Sequence, residues 1–201
     1  CGKPNSLRFL EWKKFVSNVH NSKEEVKIAV IGKYFETGDF VLSDAYLSVI
    51  EAVKYSAYAL KKKPVLVWFN ALDFEKDPKK VKELAKYDGI LVPGGFGARG
   101  IEGKLNVIKY AREHKIPYFG LCYGMQLLVI EFARNVAGLK GAHTREVDPK
   151  SPFLVIDVME SQKDIIESKK KKYGGTMRLG AYPCVLKDGT HARDAYKTGK
   201  I

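Results

Sequence analysis

Pro117-Tyr118-Phe119-Gly120-Leu121-Cys122-Tyr123-Gly124-Met125-Gln126 is a short apolar run that ends in Gly-x-Cys-x-Gly and passes at once into a helical pattern. A strand that turns sharply into a helix with a thiol at the bend is a nucleophile elbow. Gly120 and Gly124 leave room for the backbone at the turn. A thiol just ahead of a helix beginning near Tyr123 meets the positive end of that helix, which favours the attacking thiolate. Taken by itself, the motif also suits a small apolar Cys buried at a strand end. Its neighbours must decide.

Outward from the elbow, strand and helix alternate. Toward the N-terminus the pattern predicts a helix over 102–112, a strand over 89–92, a helix over 79–85, a strand over 64–69, a helix over 44–60 and a strand over 26–31. Residues 32–43 read as a loop, and Leu7, Leu10, Trp12, Phe15, Val16 and Val19 recur at helical spacing. The elbow itself joins a strand over 118–121 to a helix over 123–136. Strict alternation predicts an α/β fold, a parallel or mixed central sheet with helices on both faces. After Gly138 the pattern changes to a polar stretch, a β-rich run over 153–159, a Lys-rich connection, a Gly-rich segment and a second strand-like run to Leu186. That reads as a hairpin-like excursion, closed by a short helix over 190–196.

Composition bounds the function. The chain has 201 residues, enough for one enzyme domain with a sizeable core. The three Cys, at positions 1, 122 and 184, show neither zinc nor disulfide spacing, so no metal is expected and a reducing cytoplasm fits. No apolar run reaches membrane-spanning length and no signal peptide is evident, so a membrane partner is not expected. The net charge of +12, from 35 basic against 23 acidic residues, invites a nucleic-acid reading. Lys61 to Lys63 and Lys169 to Lys172 lack interleaved aromatics on which bases could stack, so the excess reads as solvated surface with no nucleic-acid partner.

In an open parallel sheet the binding crevice lies beyond the carboxyl ends of the strands. Two loops leave such ends: the elbow, and Pro93-Gly94-Gly95-Phe96-Gly97 after the strand ending at Val92. A Gly-rich loop alone is more often a tight turn. Beside an elbow it suggests an oxyanion hole, with the Tyr123 N–H and one from the Gly loop, Gly95 being the candidate, as donors.

With these motifs stand Gly32-Lys33-Tyr34, Asp44-Ala45-Tyr46 through Glu51-Ala52, Pro93 through Gly100, and Gly174-Gly175-Thr176-Met177-Arg178-Leu179-Gly180. Together they resemble the class I glutamine amidotransferases, of flavodoxin-like fold, and within them the glutaminase domains of the CTP synthase family. The resemblance covers nearly the whole chain. It implies that Cys122 attacks the side-chain amide of glutamine, that ammonia leaves, and that water hydrolyses the thioester to glutamate. It further implies that Gly95 and Tyr123 supply the oxyanion donors, that Gly94 and Phe96 line the glutamine pocket, and that Gln126, Glu146 and Arg178 contact the amino acid. Arg178 suits its carboxylate and Glu146 its ammonium; without the resemblance, both read as surface ion pairs or solvated side chains. Arg99 is a candidate contact for GTP, the family's allosteric activator. The family's ATP, Mg²⁺ and UTP belong to an N-terminal synthase domain, and none is expected in this domain. The resemblance also implies a homotetrameric full-length enzyme. Residues 1–22 then read as a linker and helix from a preceding domain, and residues 23–201 as the amidotransferase domain, its C-terminal end missing.

One departure stands out. The family's base lies in a His-x-Glu pair, and none occurs here: the residues two positions after His20, His114, His143 and His191 are Ser22, Ile116, Arg145 and Arg193. His143 and His191 read as surface or loop residues, while His20 and His114 suit helix C-termini. The 201 residues by themselves are therefore expected to hydrolyse glutamine feebly or not at all, since a proton shuttle contributes roughly 10²- to 10⁴-fold. The rival readings are another class I amidotransferase, a γ-glutamyl hydrolase using the same elbow, or a non-catalytic binding module of this fold.

Overall fold

The computed structural model describes residues 6–32, 36–37, 40–41, 46–95, 97–159 and 183–201. The chain divides into two compact units, residues 1–157 and 158–201.

The first unit is built on four parallel strands, β1 (Glu25–Gly32), β4 (Lys63–Asn70), β5 (Gly89–Val92) and β6 (Tyr118–Gly120), in the order β4-β1-β5-β6. The order steps to one side of β1 and then to the other, which makes a doubly wound sheet with its switch point at the carboxyl ends of β1 and β5. The apolar runs of β1 and β5 are continuous because both faces are covered. Ala29, Ile31, Ile90 and Val92 pack with Phe74, Leu84, Val107 and Ala111, whereas Val30 and Leu91 pack with Tyr46 and Ile50. The period-two switch sends alternate residues of one strand into different layers.

Helix α2 (Leu47–Ala59) covers one face. The other is covered by α3 (Ala71–Lys76), a 3₁₀ helix over Pro78–Lys86, and α4 (Ile101–Glu113). Helix α5 (Tyr123–Asn135) joins α4 through Ile101, Leu105 and Ile108 of one and Tyr123, Leu127 and Ile130 of the other. Each set follows i, i+4, i+7, the spacing of a single helical stripe. A buried carboxylate interrupts this seam: Glu131, with no exposed surface, accepts from Arg112 Nε at 3.0 Å and Nη2 at 2.8 Å and from Asn135 Nδ2 at 3.1 Å. Helix α1 (Ser6–Asn21) stacks Phe15 on Tyr55 of α2, with ring centroids 4.5 Å apart.

Several expectations are corrected. Residues 32–43 are not plain loop: β2 (Glu36–Thr37) and β3 (Phe40–Val41) pair antiparallel. The region expected as one helix over 79–85 is 3₁₀, entered through Asp77 as cap and Pro78, and α3 precedes it, capped by the Asn70 side chain at 3.1 Å from Leu72 N. The polar stretch after Gly138 holds β7 (His143–Thr144), which runs parallel to β8 (Leu154–Ile156) inside the β-rich run; the connection of the expected hairpin-like excursion, residues 160–182, lies outside the described residues. The Gly-rich segment around Arg178 lies outside the described residues, as do Phe96, Lys33, Tyr34, Asp44 and Ala45. Among the described residues no helix is long and apolar enough to cross a membrane.

In the second unit, Val185 bridges Lys200 antiparallel, and α6 (His191–Tyr196) is capped by Thr190 Oγ1, 3.3 Å from Arg193 N.

Candidate active site

Strand β6 and helix α5 leave only Leu121 and Cys122 for the turn between them, and the strain falls on Cys122. Its φ of 51° and ψ of −107° lie where a residue with a Cβ is rarely found. The bend is held from below. Leu121 N donates to Val92 O at 2.9 Å, Gly124 N to Leu121 O at 2.9 Å, and Met125 and Gln126 N both to Cys122 O at 3.1 Å. The Tyr118 hydroxyl donates to Gly124 O at 2.9 Å. Burial pushes the Tyr118 phenol well above its ordinary range, so it keeps the proton it donates. Among the described residues the Tyr123 N–H has no acceptor. It is one of the orphan donors that every helix N-terminus leaves. The thiol of Cys122 is exposed.

The Gly loop after β5 comes against the elbow. A Cβ at Gly94 would stand 3.4 Å from Cys122 Cβ and 3.8 Å from its Sγ, so the space between the loop backbone and the Cys122 side chain is about that of one methyl group. Gly95 follows, half-buried. Gly97 is held on both sides: its N–H donates to Glu146 Oε1 at 3.0 Å, and its carbonyl accepts a long bond of 3.4 Å from the Tyr123 hydroxyl.

Glu146 reaches the loop from a turn after β7. Val147 and Asp148 N close that turn on Thr144 O at 3.2 and 3.0 Å, and Thr144 Oγ1 accepts from Glu146 N at 3.3 Å. Arg134 of α5 secures the approach by donating to Ala142 O at 2.7 Å and to Glu102 at 3.0 Å.

The structure thus brings Cys122, Gly94, Gly95, Tyr123 and Glu146 to one end of the sheet. Gln126 sits half-buried in the first turn of α5, and Arg99 is exposed in the bend before α4. Phe96 and Arg178 fall outside the described residues. Sequence reasoning missed the second part played by Tyr123, whose hydroxyl touches a loop 26 residues away, and the bond from Glu146 to a glycine 49 residues away. No local pattern carries either. Among the described residues no cluster of His, Cys, Asp or Glu could hold a metal ion.

The histidines divide. His114 caps the end of α4 with Nδ1 2.9 Å from Tyr110 O, and His20 lies in the last turn of α1. His191 is exposed. His143, expected at the surface or in a loop, is instead a half-buried strand residue. Desolvation and the nearby Arg134 lower its pKa from the ordinary 6.5, with Glu102 and Asp148 opposing. The unfolded chain then binds the proton more readily, so stability falls as pH drops below that ordinary value through the lowered one. Wild-type melting temperature should therefore fall more between pH 7 and pH 5 than that of His143→Gln; parallel falls would refute the assignment.

The chain as a whole is similar to known proteins. The glutamine amidotransferase class-I family model matches residues 41–198. A CTP synthase of Caldanaerobacter subterraneus subsp. tengcongensis is 54% identical over 189 residues, covering 93% of this chain and 33% of the relative. One from Sulfolobus acidocaldarius is 46% identical over 198 residues, 98% of this chain and 36% of the relative. The chain thus spans about a third of the length of the curated relatives it matches. Among solved structures, the glutaminase domain of a Trypanosoma brucei CTPS with bound acivicin superimposes with a TM-score of 0.72 at 32% identity, covering 87% of this chain and 64% of that one. With its doubly wound sheet, its elbow at Cys122 and these matches, the chain belongs to the class-I glutamine amidotransferase family.

Proposed function

We propose that this chain is the glutaminase portion of a CTP synthase and releases ammonia from glutamine. The Cys122 thiolate adds to the side-chain carbonyl carbon, and the carbonyl electron pair moves onto oxygen. The Tyr123 and Gly95 N–H groups stabilise that oxyanion. The tetrahedral intermediate collapses with loss of ammonia, the leaving nitrogen taking up a proton, and water hydrolyses the resulting γ-glutamyl thioester. The observation that supports this reading is that the Gly loop runs beside the strained Cys122, where a Cβ at Gly94 would lie 3.8 Å from the sulfur, next to an unspent N–H at the start of α5. Gly94 and Phe96 line the pocket, Gln126, Glu146 and Arg178 bind the amino-acid end, and Arg99 helps to bind GTP. The released ammonia aminates UTP at the expense of ATP with Mg²⁺, in a synthase domain outside these residues, within a cytoplasmic homotetramer.

Acivicin or diazo-oxo-norleucine tests the reading without needing a His-x-Glu base. The 201-residue chain should take up one equivalent at Cys122, read by intact mass and peptide mapping. Glutamine should slow the uptake and Cys122→Ala should abolish it. A wild-type chain that stays unlabelled, or that is labelled equally fast with saturating glutamine present, overturns the proposal.

A further inference from the structure

Gly97 is held twice, and the two groups that hold it belong to different parts of the site. Glu146 accepts its N–H at 3.0 Å, and Tyr123, the residue that follows the nucleophile, donates its hydroxyl to its carbonyl at 3.4 Å. The backbone of Gly97 has φ of 78°, so its left-handed conformation is itself part of how the loop bends. Two residues upstream lies Gly95, a half-buried backbone beside the thiol.

We infer that Tyr123 and Glu146 form a latch on Gly97 through which recognition of the substrate's ammonium sets the position of the oxyanion loop. The inference rests on the glutaminase reading above and deepens it. Tyr123 is a positioning residue: its side chain holds the loop that carries the Gly95 donor, while its own N–H is the other donor of the oxyanion hole. Glu146 is the sensing element. Its carboxylate is exposed and has four lone-pair sites, one of which is spent on Gly97. An ammonium arriving at the free oxygen draws the carboxylate and, through the bond to Gly97, the loop.

The chemistry of each partner fits. Burial, with the charge of Glu146, pushes the Tyr123 phenol up to about 12, so at neutral pH its hydroxyl is a donor and the Gly97 carbonyl its acceptor. Lys104, buried beneath the ring with Nζ 5.8 Å from its centre, keeps the ring in place. Because the two bonds act on opposite sides of one residue, losing either lets Gly97 turn about the other.

Two variants separate the latch from ordinary packing. Tyr123→Phe removes one oxygen and keeps the ring. Labelling of Cys122 by acivicin should lose about three- to tenfold in its maximal rate with half-saturation unchanged, the size expected for one hydrogen bond. Alkylation by iodoacetamide, which needs the thiol but no oxyanion hole, should be unaffected. Glu146→Gln keeps an acceptor for Gly97 but loses the charge that draws the loop, so half-saturation should rise tenfold or more and the maximal rate should fall less than in Glu146→Ala. Glu146→Ala should damage both. Hydrogen–deuterium exchange of the peptide spanning 94–98 should quicken in Tyr123→Phe and Glu146→Ala and stay at wild-type level in Glu146→Gln.

The latch is overturned if exchange in that peptide is the same in all three variants, or if iodoacetamide and acivicin rates fall together in Tyr123→Phe. A wild-type chain that acivicin does not label would instead sink the glutaminase reading, and the exchange measurement would still decide the latch.

Discussion

Replacing Gly124 by Ala should unfold the elbow. The added Cβ would stand 2.1 Å from Val92 O and 3.0 Å from Val92 C, and this carbonyl, at the end of an interior strand and bonded to the Leu121 N–H, is held in place. At Gly120 the same change meets Gly124 C at 2.5 Å and Met125 N at 2.6 Å. Neither clash is with a side chain that could change rotamer; each is with main chain already committed to hydrogen bonds. Overpacking typically costs about 1–3 kcal/mol, and a backbone clash that cannot relax belongs at or above the top of that range. At roughly 2–4 °C per kcal/mol for a domain of this size, the melting temperature should fall by about 6–12 °C or the variant should fail to fold. If it folds, α5 must back away from β5, and Cys122 labelling should drop by more than a hundredfold. A Gly124→Ala protein melting within about 2 °C of wild type and labelling normally would contradict the geometry.

Arg112→Met should come next in size. Glu131 is buried in the α4–α5 seam, and its charge is met by a guanidinium that grips both oxygens. The bond to Glu131 also raises the Arg112 pKa above its already high ordinary value, so the guanidinium stays charged at any working pH. Removing one partner of a buried pair typically costs about 3–5 kcal/mol. Arg112 keeps part of its surface in water and Asn135 still donates to Glu131, so about 2–4 kcal/mol is expected, somewhat below that range. The double variant Arg112→Met with Glu131→Leu should recover much of the loss, because the penalty lies in the stranded carboxylate rather than in a missing attraction. Chemical denaturation of wild type, both singles and the double would check this. A double no more stable than Arg112→Met would mean that the pair itself holds the helices together.

How far the sequence reached depends on the range over which each feature is encoded. The strands β1 and β5 and the elbow were legible because their signals are local: Ile28 to Ile31 and Ile90 to Val92 are unbroken apolar runs, and Gly-x-Cys-x-Gly states its own turn. Helix α3 was not, since six residues are too few for a periodicity to appear; the Asn70 cap was its one readable mark. Strand β7, of two residues, fails for the same reason, whereas β8 lies inside the β-rich run read over 153–159. Cys122, Gly95 and Tyr123 are readable from motif alone, and in the structure a Cβ at Gly94, next to Gly95, would lie 3.8 Å from the Cys122 sulfur. Glu146 had no signal beyond the resemblance, because its partner Gly97 is brought near only by the crossing of β5 and β7 connections. Tyr123 was read for its main chain, and its hydroxyl goes unseen in any pattern of spacing.

Val92 O lies at the meeting point of these parts. It accepts the Leu121 N–H at 2.9 Å, limits how close Gly124 can come, and belongs to the residue from which the Gly loop departs. Nucleophile and loop are therefore measured from one common atom, through main chain only. The gauge between them is insulated from sequence drift: exchanges among Ile, Leu and Val in the two flanking layers can alter packing and melting temperature without resetting the reach from sulfur to Gly94. Selection can tune the layers of this domain for different temperatures while the distance that matters for chemistry stays put.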